Sequence, residues 1–184
     1  MNKVDLSKYN NDWYKPGASL FKRFLWYYTN RLFFQSYWLP SSSLKVLLLK
    51  MFGAKVGKGC NIKPGVNIKY PWKLTIGNHC WIGEEVWIDN LAEVSIEDHV
   101  CLSQGAFLLC GNHDFKKMSF DLIVKPIHLE NGSWVGAKSI VAPGVRMHSH
   151  SILTAGSVLT ANTDEYSIYQ GNPAVKVKER IIES

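Results

Sequence analysis

His113 stands in the run Gly111-Asn112-His113-Asp114-Phe115, and an imidazole with an unperturbed pKa of about 6.5 suits a general base near neutral pH. His148 and His150 form a His-x-His pair, a spacing that could ligate zinc between subunits. Glu84-Glu85 pairs two carboxylates in sequence only, and solvation of one or both is the expected outcome. The four cysteines, Cys60, Cys80, Cys101 and Cys110, contain no CxxC pair. No Ser-His-Asp order is evident, so the chemistry turns on which elements present His113, and to what.

Those elements follow from a period of six. Leu129, Val135, Val141, Met147, Leu153 and Leu159 are evenly spaced aliphatics, and four residues after each comes Ser133, Ser139, Val145, Ser151, Ser157 or Thr163. Neither a helix nor a plain strand has that period. It marks a hexapeptide β-helix, in which three hexads close one triangular coil with the aliphatic inside. Val56, Ile62 and Ile68 repeat the spacing, as do Ile76, Ile82 and Ile88, and Ile96, Leu102 and Leu108. The gaps from Ile68 to Ile76 and from Ile88 to Ile96 read as two-residue bulges at corners. The break from Leu108 to Leu129 requires an extruded loop, placed at 110–126, and it carries His113. An arbitrary loop histidine is ordinarily a solvated one, but interruptions of a regular solenoid are where function is placed. Gly57, Gly77, Gly83 and Gly136 are expected at corners of positive φ. His79 and His99 fall fourth in their hexads, an exposed corner, and His128 precedes an inward leucine. Cys60 and Cys80 take the small inward slot, so reduced buried thiols are expected.

Charge is uneven. The net charge of +6 resides in residues 1–55, which hold nine Lys/Arg against two Asp/Glu. Thirteen of the 23 aromatic residues also precede Gly53. Phe21, Phe24, Leu25, Tyr28 and Leu32 follow helical spacing, interrupted by Lys22, Arg23, Asn30 and Arg31, which argues against a membrane span. Pro40 and Ser41–Ser43 end this helix, and Leu44–Phe52 reads as a second. The plain expectation is that both cap the open end of the β-helix. A sharper one adds peripheral contact of residues 19–52 with an anionic membrane surface. No nucleic-acid motif accompanies the charge. The polar stretch from Met1 to Pro16 resembles no signal peptide, which predicts a cytoplasmic protein. Three segments result: a helical arm over 1–55 packed on the β-helix, the β-helix over 56–165, and a tail with a short helix over 166–184.

The hexads, the loop histidine and the ending Tyr169-Gln170-Gly171-Asn172-Pro173-Ala174 resemble the hexapeptide-repeat acyltransferases. Leu74 to Lys178 is similar to the maltose, galactoside and nodulation-factor sugar O-acetyltransferases. The arm around Trp13-Tyr14-Lys15-Pro16-Gly17 looks closer to the colanic-acid biosynthesis acetyltransferases. The resemblance implies a mainly β fold, a left-handed parallel β-helix that departs from the right-handed crossover rule. It also implies a homotrimer, with acetyl-CoA as co-substrate between neighbouring prisms, a sugar or glycan acceptor, and no metal. Matched residue by residue, His113 falls on the catalytic histidine and Asp89 on an aspartate near the acceptor pocket. Trp134, Gly136 and Ala137 match the turn facing the pantetheine arm. Ala155 and Thr160 match positions lining the coenzyme further along, and Lys178 matches a basic residue near its phosphates.

Three departures stand out. Ala161 replaces a common lysine, which shifts phosphate contacts to Lys176 and Lys178. Trp81 replaces an asparagine near the acceptor hydroxyl, and Asp114 replaces a proline. The expected reaction is direct acetyl transfer to a hydroxyl, with His113 as base and either Asp89 or Asp114 orienting it. Three alternatives stand beside it: transfer to an amino-sugar nitrogen, a non-catalytic scaffold, and a zinc hydratase like the β-helix carbonic anhydrases. The further His-x-x-x-x-His arrangement of those hydratases has no match in the chain.

Overall fold

The computed structural model describes residues 3–183, and Met1, Asn2 and Ser184 of the expected arm and tail lie outside them. Each aliphatic of one hexad is stacked in register on that of the next coil. On the first face, Val56, Ile76, Ile96, Leu129 and Met147 are consecutive parallel partners. The second face stacks Ile62, Ile82, Leu102, Val135, Leu153 and Tyr169. The third stacks Ile68, Ile88, Leu108, Val141 and Leu159. The result is a mainly β, parallel β-helix of about six turns, and every one of these residues is buried. Such columns place branched aliphatic carbons one strand spacing apart, about 4.8 Å, so removing one leaves a hole that its neighbours cannot close. The paired small residues Ser133, Ser139, Val145, Ser151, Ser157 and Thr163 are buried beside them.

The glycines expected at positive φ do something else. Left-handed backbone falls on the third residue after eleven of the fifteen aliphatics: Gly59, Gly65, His79, Glu85, His99, Gly105, Gly132, Lys138, Gly144, His150 and Gly156. Gly57, Gly77, Gly83 and Gly136 instead sit directly against the backbone of the next coil. A Cβ on Gly57 would lie 2.6 Å from the Gly77 carbonyl, and one on Gly136 2.5 Å from the Ala155 nitrogen. Close approach, not backbone freedom, selects glycine there. Glu84 and Glu85 are both exposed, and all four cysteines are free thiols. Burial pushes the Cys80 thiol up to about 11.

The tail forms strands, not the helix expected there. Ser167–Gly171 continues the second face, and Ala174–Glu179 folds back on it antiparallel. Val175 and Val177 alternate with Lys176 and Lys178, and pairing with the last coil decides for a strand. Lysines on an outer strand also discourage further edge pairing.

At the other end, two helices serve the first coil: α1 (Leu20–Thr29) and α2 (Ser42–Met51). Ser19 and Ser41 cap them through their side chains. A π-helical turn, Asn30–Phe34, follows α1 and aims side chains at the unpaired edge of Asn67–Ile68. The Trp26 indole donates to the Ile68 carbonyl (2.9 Å), and the Asn30 amide oxygen accepts from the Ile68 N–H (3.4 Å). The stripe legible in the sequence is the exposed one: Phe21, Phe24, Leu25, Tyr28 and Leu32 face outward, while Trp26, Asn30 and Phe34 are buried. No helix of the described residues is long and apolar enough to cross a membrane.

α2 buries Lys45 completely, with only the Ile62 carbonyl at 3.5 Å as partner. Desolvation lowers the Lys45 pKa. A lysine held below its unfolded value weakens the fold below that value, and the penalty fades as pH rises. Lys45→Met therefore raises the melting temperature at pH 7, by about 1 kcal/mol in stability. The advantage narrows toward pH 10, and thermal denaturation at the two pH values reads both.

Candidate functional site

The extruded segment is a β-hairpin leaving the corner between the third and first faces. Gly111–His113 pairs antiparallel with Leu122–Val124, in the register His113 to Leu122. Gly111 lets the hairpin leave close to the coil, because a Cβ there would meet the Leu91 side chain at 2.6 Å. The same corner carries Asp89, so hairpin and corner open onto one cavity of about 870 Å³ containing both His113 and Asp89.

The imidazole is held from two sides. Its Nδ1 lies 2.9 Å from the Phe120 carbonyl, and its ring stacks on Phe120 with centroids 4.5 Å apart and planes within 7°. A carbonyl can only accept, so Nδ1 carries a hydrogen, and in the neutral imidazole the lone pair is then on Nε2. Neither expected carboxylate makes that contact. The Asp114 side chain accepts from the Lys116 N–H at 3.1 Å, closing the hairpin turn. Asp89 is buried and receives the Lys69 ammonium at 2.8 Å. The orienting group is a backbone carbonyl seven residues away, and no side-chain pattern announces it.

The arm supplies a wall that sequence reading missed. Residues 4–18 cross the hairpin and the corner as a strap. The Asp5 N–H donates to the Met118 carbonyl (2.9 Å), and the Tyr9 ring lies 5.8 Å from the His113 ring. Further on, the Tyr14 hydroxyl donates to the Leu91 carbonyl (2.8 Å), and the Trp72 indole donates to the Pro16 carbonyl (2.7 Å). Burial, with Tyr70 and Asp89 nearby, pushes the Tyr14 phenol up, so it remains a neutral donor. Asn11, Asp12, Arg23 and Asn112 complete the lining. The aromatic enrichment before Gly53 was the available signal, but nothing local tells which ring reaches the hairpin.

The remaining expected residues lie elsewhere on the chain. Trp81 and Trp134 are exposed on the second face, two strands apart across Cys101. A groove of about 310 Å³ runs beside Trp81, Gly83, Cys101 and Ser103. The Trp134 indole donates to Ser103 Oγ at 2.9 Å, which fixes it at the groove's edge. Gly136 packs on Ala155, with Ala137 beside it, and Thr160 is exposed at the end of Val158–Leu159. Lys176 is already engaged by Asp164 (3.1 Å) and Glu179 (2.8 Å). Lys178 is exposed on the same strand. Within one chain, then, His113 and Asp89 share a cavity, while Trp81, Trp134, Gly136, Ala137 and Ala155 share a different face.

The two histidines of the His-x-His pair diverge. His150 stacks on Tyr166 with centroids 4.7 Å apart, and His148 Nδ1 lies 3.2 Å from Glu130. Glu130, His148 and Glu165 come within reach of a common cation. The Arg146 guanidinium, 2.8 Å from Glu130, already supplies that charge.

No family model matches the chain. It is 34% identical over 167 residues to a protein of Escherichia coli (strain K12) that carries the name colanic acid biosynthesis acetyltransferase WcaF, covering 90% of this chain and 91% of that one. It is 24% identical over 135 residues to the galactoside O-acetyltransferase of the same strain, covering 72% and 66%. A hexapeptide-repeat acetyltransferase from Vibrio cholerae, solved with acetyl coenzyme A, superposes with a TM-score of 0.80 at 21% identity over 90% of this chain and 92% of that one. A galactoside acetyltransferase solved with coenzyme A superposes at 0.76 and 24% identity, over 86% and 80%. With its hexad columns, extruded histidine hairpin and likeness to WcaF over nearly its whole length, the chain belongs to the hexapeptide-repeat acetyltransferases.

Proposed function

We infer that the protein transfers an acetyl group from acetyl-CoA directly to a hydroxyl of a sugar or glycan, with His113 as general base. The observation that carries this reading is the hydrogen bond from His113 Nδ1 to the Phe120 carbonyl. It supports the tautomer in which Nε2 is the proton acceptor, in the cavity shared with Asp89. His113 Nε2 removes the acceptor's hydroxyl proton as that oxygen bonds to the thioester carbonyl carbon. The carbon–sulfur bond then breaks, and the imidazolium returns the proton to the departing thiolate. No covalent enzyme intermediate is required. A hydrogen-bond donor at the developing oxyanion would add about 3 kcal/mol.

The groove beside Trp81, with Trp134 locked onto Ser103, fits a narrow pantetheine arm. Trp134, Gly136, Ala137, Ala155 and Thr160 are the residues that would hold the coenzyme. Lys178 is the freer phosphate contact, since Lys176 is paired twice. The two faces of one chain are separate, and a cyclic trimer would bring the His113 cavity of one subunit to the second face of the next. The acceptor sits under the strap, against Tyr9 and Asp89, and in such a trimer Trp81 of the partner subunit would be a further contact. Tyr9→Ala lowers kcat/KM for the acceptor about tenfold, the worth of one aromatic contact, with acetyl-CoA affinity unchanged. An unaltered acceptor KM in that variant removes the strap from the site.

Contact with an anionic membrane surface through residues 19–52 is part of the same reading. It is supported by the outward stripe of Phe21, Phe24, Tyr28 and Leu32 beside Lys22 and Arg31. The first test of the whole reading is calorimetric titration of the protein with acetyl-CoA. Binding near one site per chain supports it, and absence of heat at several temperatures points to a scaffold.

A further inference from the structure

The cavity that holds His113 is lined by three cations and two carboxylates: Lys15, Arg23 and Lys69 against Asp12 and Asp89. Lys69 and Asp89 offset each other, 2.8 Å apart. Asp12 is exposed and accepts from the Asn10 amide at 3.1 Å, and Lys15 is exposed as well. Water and salt screen both. Arg23 remains, a half-buried charge that the cavity does not neutralise.

The helical arm carries three cations between Leu20 and Phe34, and the other two have partners. Lys22 lies over the Trp72 ring, 5.2 Å from its centroid. Arg31 lies 5.6 Å from the Tyr27 centroid and donates to the Gln35 amide oxygen at 2.9 Å. Arg23 has no ion pair, side-chain hydrogen bond or aromatic partner among the described residues. Helix stability does not explain it either. A cation at the start of a helix opposes the dipole, and the first turn of α1 has no acidic residue to offset it. A half-buried guanidinium in the wall of a reaction site suits an anionic group, which it can grip with two N–H groups.

That anion belongs to the acceptor. In acetyl-CoA the whole pantetheine arm separates the phosphates from the thioester, so an anion beside His113 is not theirs. The transferred acetyl group carries no charge. One unpaired guanidinium is matched by one carboxylate. A phosphate monoester, with a charge of about −1.5 to −2 near neutral pH, would keep an excess negative charge in the cavity.

Resting on the sugar acetyltransferase reading above, we propose that the acceptor is an acidic sugar whose carboxylate is recognised by Arg23. The hydroxyl to be acetylated faces His113 Nε2, and the carboxylate pairs with the guanidinium in the same cavity. Arg23 selects among acceptors and takes no part in the proton transfer.

Three matched pairs of methyl glycosides are the probes: glucose with glucuronic acid, galactose with galacturonic acid, and mannose with mannuronic acid. Coenzyme A release is followed with the full-length protein at saturating acetyl-CoA. In at least one pair the acid has a kcat/KM about tenfold or more above its neutral partner, as a hydrogen-bonded charge pair provides. Arg23→Gln brings that ratio near one, and Arg23→Lys, which keeps the charge without the fork, restores part of it. Melting temperature and calorimetric affinity for acetyl-CoA are measured for both variants, so that lost preference is told from lost fold. Neutral sugars used as well as acids in every pair, or an acid preference that survives Arg23→Gln, overturns the proposal. Glucose 6-phosphate preferred to all three acids through Arg23 would make the anion a phosphate and overturn it too. Acetyl-CoA bound without turnover of any acid overturns it while leaving the donor site standing. Absence of acetyl-CoA binding removes the transferase reading itself, and the proposal with it.

Discussion

His113→Ala lowers acetyl transfer by about 10² or more, while the affinity for acetyl-CoA changes little. The asymmetry follows from the geometry. His113 lies in the cavity beside Asp89, whereas the groove proposed for the coenzyme runs beside Trp81 and Ser103 on another face. The substitution leaves the backbone ladder of the hairpin in place, since the register from Gly111 to His113 uses main-chain groups. It does remove the stack on Phe120 and the bond to its carbonyl, so looseness of the hairpin needs its own control. His113→Phe supplies one, because a second ring restores the stack without restoring a proton acceptor. If stacking were all that mattered, His113→Phe would recover turnover; a general base requires that it does not. Turnover within a few-fold of wild type in His113→Ala would remove the base from the mechanism.

Gly136→Ala destabilises the fold by about 3 kcal/mol or more, because overpacking against backbone has no side chain to yield. The added Cβ would stand 2.5 Å from the Ala155 nitrogen, 2.7 Å from the Leu153 carbonyl oxygen and 2.8 Å from the Thr154 carbonyl carbon. Nothing shifts unless two coils separate, and separation breaks the parallel bonds between Trp134–Val135 and Ile152–Leu153. At this chain length the melting temperature falls by roughly 6–12 °C. Gly156→Ala is the comparison that makes the result informative. Gly156 has φ of +69° but open space around its would-be Cβ, so strain alone is tested, about 1 kcal/mol. His79, Glu85, His99, Lys138 and His150 already occupy the equivalent corner with a side chain. Equal losses in the two variants would mean that backbone conformation, not contact between coils, selects glycine in this solenoid.

Fold and site were unequally legible. The hexads were readable because each coil makes the same demand: an aliphatic in the prism, a small neighbour, and a corner. A demand repeated that often writes itself into the sequence as a period, and all fifteen aliphatics occupy their columns in the structure. The break between Leu108 and Leu129 was legible for the same reason, as the place where the demand lapses. His113 could be singled out because it stands in that break.

What lies within a single occurrence carries no period. The orienting group of His113 is the Phe120 carbonyl, and every residue has a carbonyl. The strap reaches the hairpin through Asp5 and Met118, more than a hundred positions apart, with no motif at either. Arg23 and Lys69 line one cavity because α1 lies across the third face, and the buried stripe that docks it, Trp26, Asn30 and Phe34, is less apolar than the stripe left outside. The tail became a hairpin because Ser167–Gly171 found the open edge of the last coil, a partner that composition cannot reveal. Local, repeated steric requirements determined the coil from the sequence by itself. Only the tertiary structure decided the walls of the site, since they are contacts made once between distant segments.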